Sequence, residues 1–166
     1  IDLETLMEEG LLTKDFVESF PWGDNPSYVD YGLMYQSRFQ VLRKAFENSC
    51  HQETKDYQDF LKDQEYWLED YALFMACKGH FGGKCWQEWD PDIKYRETEA
   101  VEKYKKELSK EMEFWMFVQF KFYRQWENLK SYTRENGIRV IGDIPIYMAL
   151  DSADVWAHPG YFQLDE

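Results

Sequence analysis

One stretch of β-strand character stands in an otherwise helical sequence, and it limits the folds open to the chain. Residues 138–141 (Ile-Arg-Val-Ile) are rich in β-branched side chains and follow Asn136-Gly137, a pair typical of a left-handed helix end. A helix, a short loop and a buried strand form the second half of a βαβ unit, which implies a parallel sheet. Because such a strand is buried between neighbours, we expect sequence outside these 166 residues to complete the sheet. The chain also begins without Met, and we therefore expect an excerpt of a longer protein.

Helical periodicity accounts for most of the remaining sequence. The apolar spacing predicts short helices before residue 20, the second capped by Thr13, and long helices over residues 29–49, 54–78 and 97–136. Within the last of these, residues 97–113 are almost wholly polar and predict a solvated surface unless they meet a partner. Residues 114–129 are apolar on more than one face and predict deep burial. The expected fold class is α/β, although the content is mostly α-helical.

The charge balance argues against two classes of partner. The chain has 32 Asp and Glu against 19 Lys and Arg, a net charge of −13, whereas nucleic-acid and anionic-membrane binders usually present basic faces. No apolar run approaches the roughly 20 residues of a membrane span. We therefore expect neither nucleic acid nor membrane as a partner. Aromatic residues make up 19% of the chain and serve either burial or stacking against flat apolar ligand faces such as sugars.

Cysteine usage and the absence of common motifs restrict the chemistry further. Three cysteines, Cys50, Cys77 and Cys85, are too sparse for a disulfide framework and favour a reducing, cytoplasmic location. Cys77, His80 and Cys85 lie close in sequence but lack a fourth ligand at zinc spacing, so we expect no metal. Phosphate-loop, dinucleotide, nucleophile-elbow and zincin motifs are all missing from the sequence, so we expect no cofactor.

The residues after the predicted strand are the best candidates for chemistry. Asp143 directly follows it, and ligands meet parallel α/β folds at the carboxyl ends of strands. A carboxylate there can bind sugar hydroxyls, orient an Arg or transfer a proton, but Asp is also a common turn residue. Asp151 and Asp154 read first as loop or helix-capping residues. Trp156 reads as a core aromatic or a stacking platform, and its sequence context favours the core.

The same residues carry a resemblance to a known family. Residues 137–147 (GIRVIGDIPIY), continued by 151–157 (DSADVWA), resemble the amylomaltases, which are 4-α-glucanotransferases or disproportionating enzymes of the α-amylase clan. The likeness covers nearly the whole chain and includes shorter matches at residues 1–4, 10–12, 29–31, 70–74, 86–89, 125–126 and 129–130.

The resemblance implies a fragment of a (β/α)8 TIM barrel with a largely helical insertion. Such a barrel needs about 250 residues on its own. On this basis residues 1–96 form a helical insertion, 97–150 the long helix and a barrel strand, and 151–166 the start of the following insertion. The missing sequence supplies the rest of the barrel.

The resemblance also implies an activity. Family members transfer α-1,4-glucan segments between maltodextrins in starch and glycogen metabolism by a retaining double displacement without a cofactor. In the family the nucleophile lies in an Arg-x-Asp motif, which does not occur in these 166 residues. By the same likeness the general acid also lies outside them. We therefore expect the isolated chain to be inactive. By likeness Asp143 supports catalysis and binds substrate, and Tyr147, Asp151 and Trp156 contribute to substrate binding. The implied partners are maltooligosaccharides, and the implied location is cytoplasmic, or plastidial in a plant.

Two non-catalytic readings remain open from the residues alone. The chain could be a helical interaction domain that docks a partner through residues 97–113 and the long aromatic helix. It could also be a carbohydrate-binding module, which requires an oligosaccharide affinity that Trp156→Ala removes.

Overall fold

The computed structural model describes residues 1–25, 27–144 and 146–164, and its regular structure is helical throughout these ranges. Three short 3-10 turns, at His51–Glu53, Trp86–Glu88 and Pro159–Tyr161, accompany the α-helices. The α-helices are α1 (Leu3–Glu8), α2 (Lys14–Glu18), α3 (Tyr31–Asn48), α4 (Lys55–Asp63), α5 (Glu65–His80), α6 (Pro91–Lys94), α7 (Thr98–Glu107), α8 (Ser109–Glu135) and α9 (Ala153–Ala157).

Short polar side chains set where several helices begin. Thr13 Oγ1 accepts a hydrogen bond from the Phe16 amide at 3.3 Å, which confirms Thr13 as the cap of α2. The side chains of Asp2, Asp30 and Thr54 accept equivalent bonds at the starts of α1, α3 and α4. These caps satisfy amides that lack an intrahelical partner, so the predicted helix starts are confirmed to within one or two residues.

Two of the predicted long helices are each divided by a bend of one residue. The helix predicted over 54–78 bends at Gln64, and the one predicted over 97–136 bends at Leu108. The bend residues themselves keep hydrogen bonds of α-helical spacing. The Gln64 amide donates to Phe60 O at 3.0 Å, and the Leu108 amide donates to Tyr104 O at 2.8 Å. Because neither bend contains Gly or Pro, the sequence pattern does not mark them.

The first half of α8 joins three apolar clusters and organises the core. Met112 packs with α5, α6, α7 and α9, where Leu73, Ile93 and Trp156 are buried. The second cluster gathers α1 and α3 around Phe114, Phe117 and Val118 of α8, and the third gathers α4 and the start of α5 around Phe120. Many of the aromatic rings serve this packing: Phe46 meets Phe114 edge-on with ring centres 5.7 Å apart.

The polarity of the residues before and after position 113 predicts their burial only in part. The polar helix α7 does find a partner within the chain, because it buries Ala100 and Tyr104 against α5. Deep burial of residues 114–129 is correct only as far as Phe120. Beyond it, four large apolar side chains of α8 are exposed: Phe122, Trp126, Leu129 and Tyr132.

The predicted strand over residues 138–141 is wrong for this structure. These residues have no strand hydrogen bonding, and Ile141 is 93% exposed. The physical reason is the lack of a partner, since no described residue forms a strand that could accept or donate ladder hydrogen bonds. The left-handed helix end is confirmed: Gly137 has φ +68°, and the amides of Gly137 and Ile138 bond to Arg134 O and Thr133 O at 3.1 and 2.8 Å.

Candidate functional site

The candidate site residues occupy a long exposed connection between α8 and α9. Every described residue from 134 to 150 is exposed to solvent. We call residues 137–150 the exposed segment; Pro145, part of the sequence motif, lies outside the described residues. The exposed segment is unusual because it is apolar, with Ile138, Val140, Ile141 and Ile144 among its exposed side chains.

Asp143 and Tyr147 both face solvent on this segment. The Asp143 carboxylate makes no hydrogen bond or ion pair with the rest of the described chain. Tyr147 is 91% exposed, so both its ring and its hydroxyl are free to meet a ligand. A carboxylate and an aromatic ring on one short segment are the groups that bind sugar hydroxyls and sugar C–H faces.

Asp151, in contrast, is held by the helical body. Its Oδ2 pairs with Lys78 Nζ at the end of α5. Partial burial by itself raises the pKa of Asp151, but the Lys78 ammonium and the Cys85 thiol outweigh it and hold this pKa below the ordinary value. The Asp151 carboxylate in turn raises the pKa of the nearby Cys85 thiol. Asp151 is thus a charged anchor, and Cys85 is kept in its thiol form.

Trp156 lies inside the core. Its side chain is 1% exposed, and its indole Nε1 donates to Ile93 O at 3.2 Å. The Arg96 guanidinium covers one face at 4.3 Å, and Phe74 and Trp89 pack nearby. The core reading of Trp156 therefore describes this structure, and no face of the ring is free for a sugar. A role for Trp156 in substrate binding stays a prediction, and with its ring buried Trp156 would have to act through other residues.

The structure thus divides the four predicted site residues into two pairs. Asp143 and Tyr147 are exposed, whereas Asp151 and Trp156 fasten the chain where it returns to the helices. Sequence reasoning missed two residues at this return point, Lys78 and Trp86. Trp86 Nε1 donates to Leu150 O at 2.8 Å. Trp86 could have been singled out from the sequence because it lies in the family-like residues 86–89, whereas no feature of the sequence marks Lys78.

A second titratable cluster lies at the junction of α3, α4 and α8. Glu113 Oε1 lies 2.9 Å from His51 Nε2 and accepts a hydrogen bond from the Tyr57 hydroxyl at 2.7 Å. Burial by itself raises the pKa of Glu113, but the hydrogen bonds from these partners outweigh it, so the pKa lies below its ordinary value. Burial and the Glu113 carboxylate also raise the pKa of Tyr57. His51 is buried and all three groups are paired, so we assign this cluster to stability.

Two further tests of the described residues concern metals and membranes. No group of three or more His, Cys, Asp and Glu side chains in residues 1–25, 27–144 and 146–164 is placed to hold a metal ion. No helix in the same ranges is both long enough and apolar enough to cross a membrane.

Comparison with known proteins defines the family. The family model described as 4-alpha-glucanotransferase matches residues 1–166, so the chain belongs to this family. It is 45% identical to the 4-alpha-glucanotransferase of Clostridium butyricum over 166 residues, which are all of this chain and 34% of the relative. It is 44% identical to that of Aquifex aeolicus over 165 residues, which are 99% of this chain and 33% of the relative.

A solved structure agrees with these sequence matches. The amylomaltase from Streptococcus agalactiae in complex with acarbose superposes with a TM-score of 0.93 at 42% identity, over 99% of this chain and 34% of that one. The chain therefore spans about a third of the length of the proteins that it matches.

Proposed function

We propose that the protein containing this chain is a 4-α-glucanotransferase that moves α-1,4-glucan segments between maltooligosaccharides. The observation that carries the proposal is the family match along all 166 residues, combined with the free Asp143 and Tyr147 of the family-like motif. The mechanism is a retaining double displacement, in which an enzyme carboxylate forms a glycosyl-enzyme and a second sugar replaces water as acceptor.

The catalytic domain is proposed to be a TIM barrel of which this chain is one part. The exposed segment and the end of α8 together present apolar side chains that a free surface does not favour, including Ile141, Phe122 and Leu129. In the barrel, residues 138–141 would pair with neighbouring strands, and the α8 side chains would pack on the sheet. The division into 1–96, 97–150 and 151–166 stays part of this proposal.

Each candidate residue has a proposed role. Asp143 would lie at the carboxyl end of its strand and bind sugar hydroxyls or a catalytic Arg, while Tyr147 stacks against a sugar ring. Asp151 and Trp156 would act by holding the segment. The nucleophile and the general acid would come from other parts of the protein, since no Arg-x-Asp occurs in the 166 residues.

The proposed substrate class follows from the matching proteins, and the proposed location follows from the cysteines. The superposing amylomaltase was solved with acarbose, and the matching relatives are named for glucan transfer, which supports maltooligosaccharides as substrates. A cytoplasmic location stays a prediction from the three free cysteines. Independence from cofactors, nucleic acid and membranes likewise stays a prediction.

The activity is tested with the full-length protein and maltotriose. We expect glucose together with longer maltodextrins, and no such products from the 166-residue chain alone. Asp143→Asn in the full-length protein should lower kcat/KM at least about tenfold, because a hydrogen bond to a charged group contributes about 1.5–3 kcal/mol. Asp63→Asn, an exposed carboxylate at the end of α4, is the matched control. Hydrolysis without transfer, or no reaction at all, would overturn the proposal.

Of the non-catalytic readings, neither is favoured by an observation. The carbohydrate-binding module relied on Trp156, whose ring is buried. The interaction-domain reading relied on residues 97–113 and the long aromatic helix. Of these, α7 packs on its own chain, and the exposed apolar side chains at the end of α8 are assigned in this proposal to packing on the barrel sheet.

A further inference from the structure

The exposed segment is joined to the helical body at two ends of different character. At its start, the only restraint among the described residues is the helix end at Gly137, after which residues 138–144 and 146–149 are exposed. At its far end, bonds from two separate elements converge on Leu150 and Asp151.

The first of these bonds comes from the turn after α5. The indole of Trp86 is 7% exposed and packs in the cluster of α5, α6 and α9. Its Nε1–H donates to Leu150 O at 2.8 Å. A bulky ring fixed in a core has few alternative rotamers, so this bond fixes the backbone position of residue 150.

The second bond is the ion pair between Lys78 and Asp151. Their side chains are 23% and 30% exposed, so solvent screens this pair less than one on the open surface. Lys78 lies in the last turn of α5, where a cation is also favoured by the helix dipole. The pair fixes the side chain of residue 151 to a helix with a buried face.

The chain beyond this point has its own fastening and does not need the two bonds. Ser152 caps α9, accepting from the Val155 amide at 3.4 Å, and Trp156 is buried between Ile93 and Arg96. The bonds at residues 150 and 151 therefore act mainly on the preceding residues. Tyr147 is three residues before Leu150, and a chain covers at most about 3.3–3.6 Å per residue, so Tyr147 stays within about 11 Å of a fixed point.

We propose that Lys78 and Trp86 are positioning residues that set where Tyr147, and through it Asp143, meets the substrate. This inference rests on the proposed glucan transfer. On this proposal Lys78 and Trp86 do not contact the sugar. They contribute to catalysis by holding the chain that carries Tyr147. Displacing a substrate-binding group by about 1 Å can cost about a hundredfold in rate.

The test uses the full-length protein with maltotriose as substrate. Lys78→Met keeps the aliphatic stem and removes the ion pair, and Trp86→Phe keeps a ring and removes the donor. Both should lower kcat about tenfold or more at a temperature where the protein is folded. The melting temperature should change little in Lys78→Met, whose aliphatic contacts remain, and should fall in Trp86→Phe, because the smaller ring leaves a cavity in the core. Lys78→Arg restores a cation and should recover most of kcat, and Lys110→Met, an exposed lysine of α8, should match the unaltered protein.

Amide exchange separates this inference from the proposed function. Lys78→Met should speed exchange at residues 146–150 in the full-length protein, whether or not it transfers glucan. If the unaltered protein is active, and both variants keep its kcat and its exchange, the positioning role is wrong. If the unaltered protein does not transfer glucan, the proposed function fails, and unchanged exchange in Lys78→Met would overturn the anchoring as well.

Discussion

The helical body and the exposed segment are both rich in apolar side chains, yet only the body buries them. In the body, one face of α8 carries Phe114, Phe117 and Phe120 into two clusters that are completed by other helices. A few residues later, Phe122 and Leu129 of the same helix and nearly all of the exposed segment face solvent. Apolar character is therefore not enough to bury a residue, because burial also requires a facing element within the chain.

The difference also separates two kinds of site residue. Trp156 and Asp151 belong to the body and are fixed by contacts that the chain supplies itself. Asp143 and Tyr147 belong to the exposed segment and gain a defined environment only if further sequence covers it. Removing the buried side chain of Trp156 should therefore act on stability, whereas removing the exposed side chain of Asp143 or Tyr147 should act on activity.

The largest contrast is expected between two aromatic residues. Trp156→Ala removes a side chain that is 1% exposed and should lower the free energy of unfolding by about 3–5 kcal/mol. Tyr147→Ala removes one that is 91% exposed and should change it by less than about 0.5 kcal/mol. Urea unfolding of the 166-residue chain measures both. Equal effects would show that the exposed segment packs on the body.

A smaller effect is expected at the polar cluster of α8. Glu113→Gln keeps the shape but removes the charge that pairs with His51 and Tyr57, and should cost about 1–2 kcal/mol at pH 7. Glu127→Gln, on the exposed part of the same helix, is the control and should cost less than about 0.5 kcal/mol.

The pH dependence of this cluster has a definite sign. The folded pKa of Glu113 lies below its ordinary value of 4.5, so its charged form stabilises the fold above that value. That contribution is lost as pH falls from about 5 through the lower folded pKa. The free energy of unfolding should therefore fall more steeply toward acid in the unaltered chain than in Glu113→Gln. Parallel curves would show that Glu113 is not coupled to folding.

The smallest effects are expected at two glycines, one at the end of α8 where the exposed segment begins and one in the last turn of α5. Gly137 ends α8 at φ +68° with open space around it, so Gly137→Ala should cost about 1 kcal/mol from backbone strain alone. Gly79 lies within α5 and is also open, so Gly79→Ala should stabilise by about 0.5–1 kcal/mol through helix propensity. Thermal unfolding distinguishes the two signs, and a gain at Gly137 would contradict the observed helix end.

The local rules that work on this sequence are those whose partner lies within a few residues. Thr13 and Gly137 were assigned correctly because a cap and a left-handed helix end involve only the neighbouring backbone. The strand at 138–141 was not, because a strand exists only with a neighbour. The bends at Gln64 and Leu108 were also missed, since no Gly or Pro marks them.

The site shows the same division. Chemistry and resemblance identified Asp143 and Tyr147 as candidates, and both are free in the structure. Lys78 was not predicted, because its partner Asp151 is 73 residues away and only the fold brings them together. The polar cluster of His51, Tyr57 and Glu113 escaped notice for the same reason.

The most direct test of this account is amide exchange at residues 139–141, with the amides of α5 as an internal reference; the Ile138 amide is left out because it bonds to Thr133 O at the end of α8. In the 166-residue chain we expect these three amides to exchange at close to the unstructured rate while α5 is protected, because no described residue offers a ladder partner. In the full-length protein we expect all three to be strongly protected by neighbouring strands. Protection in the 166-residue chain, or free exchange in the full-length protein, would contradict the claim that this segment is a barrel strand completed by the rest of the protein.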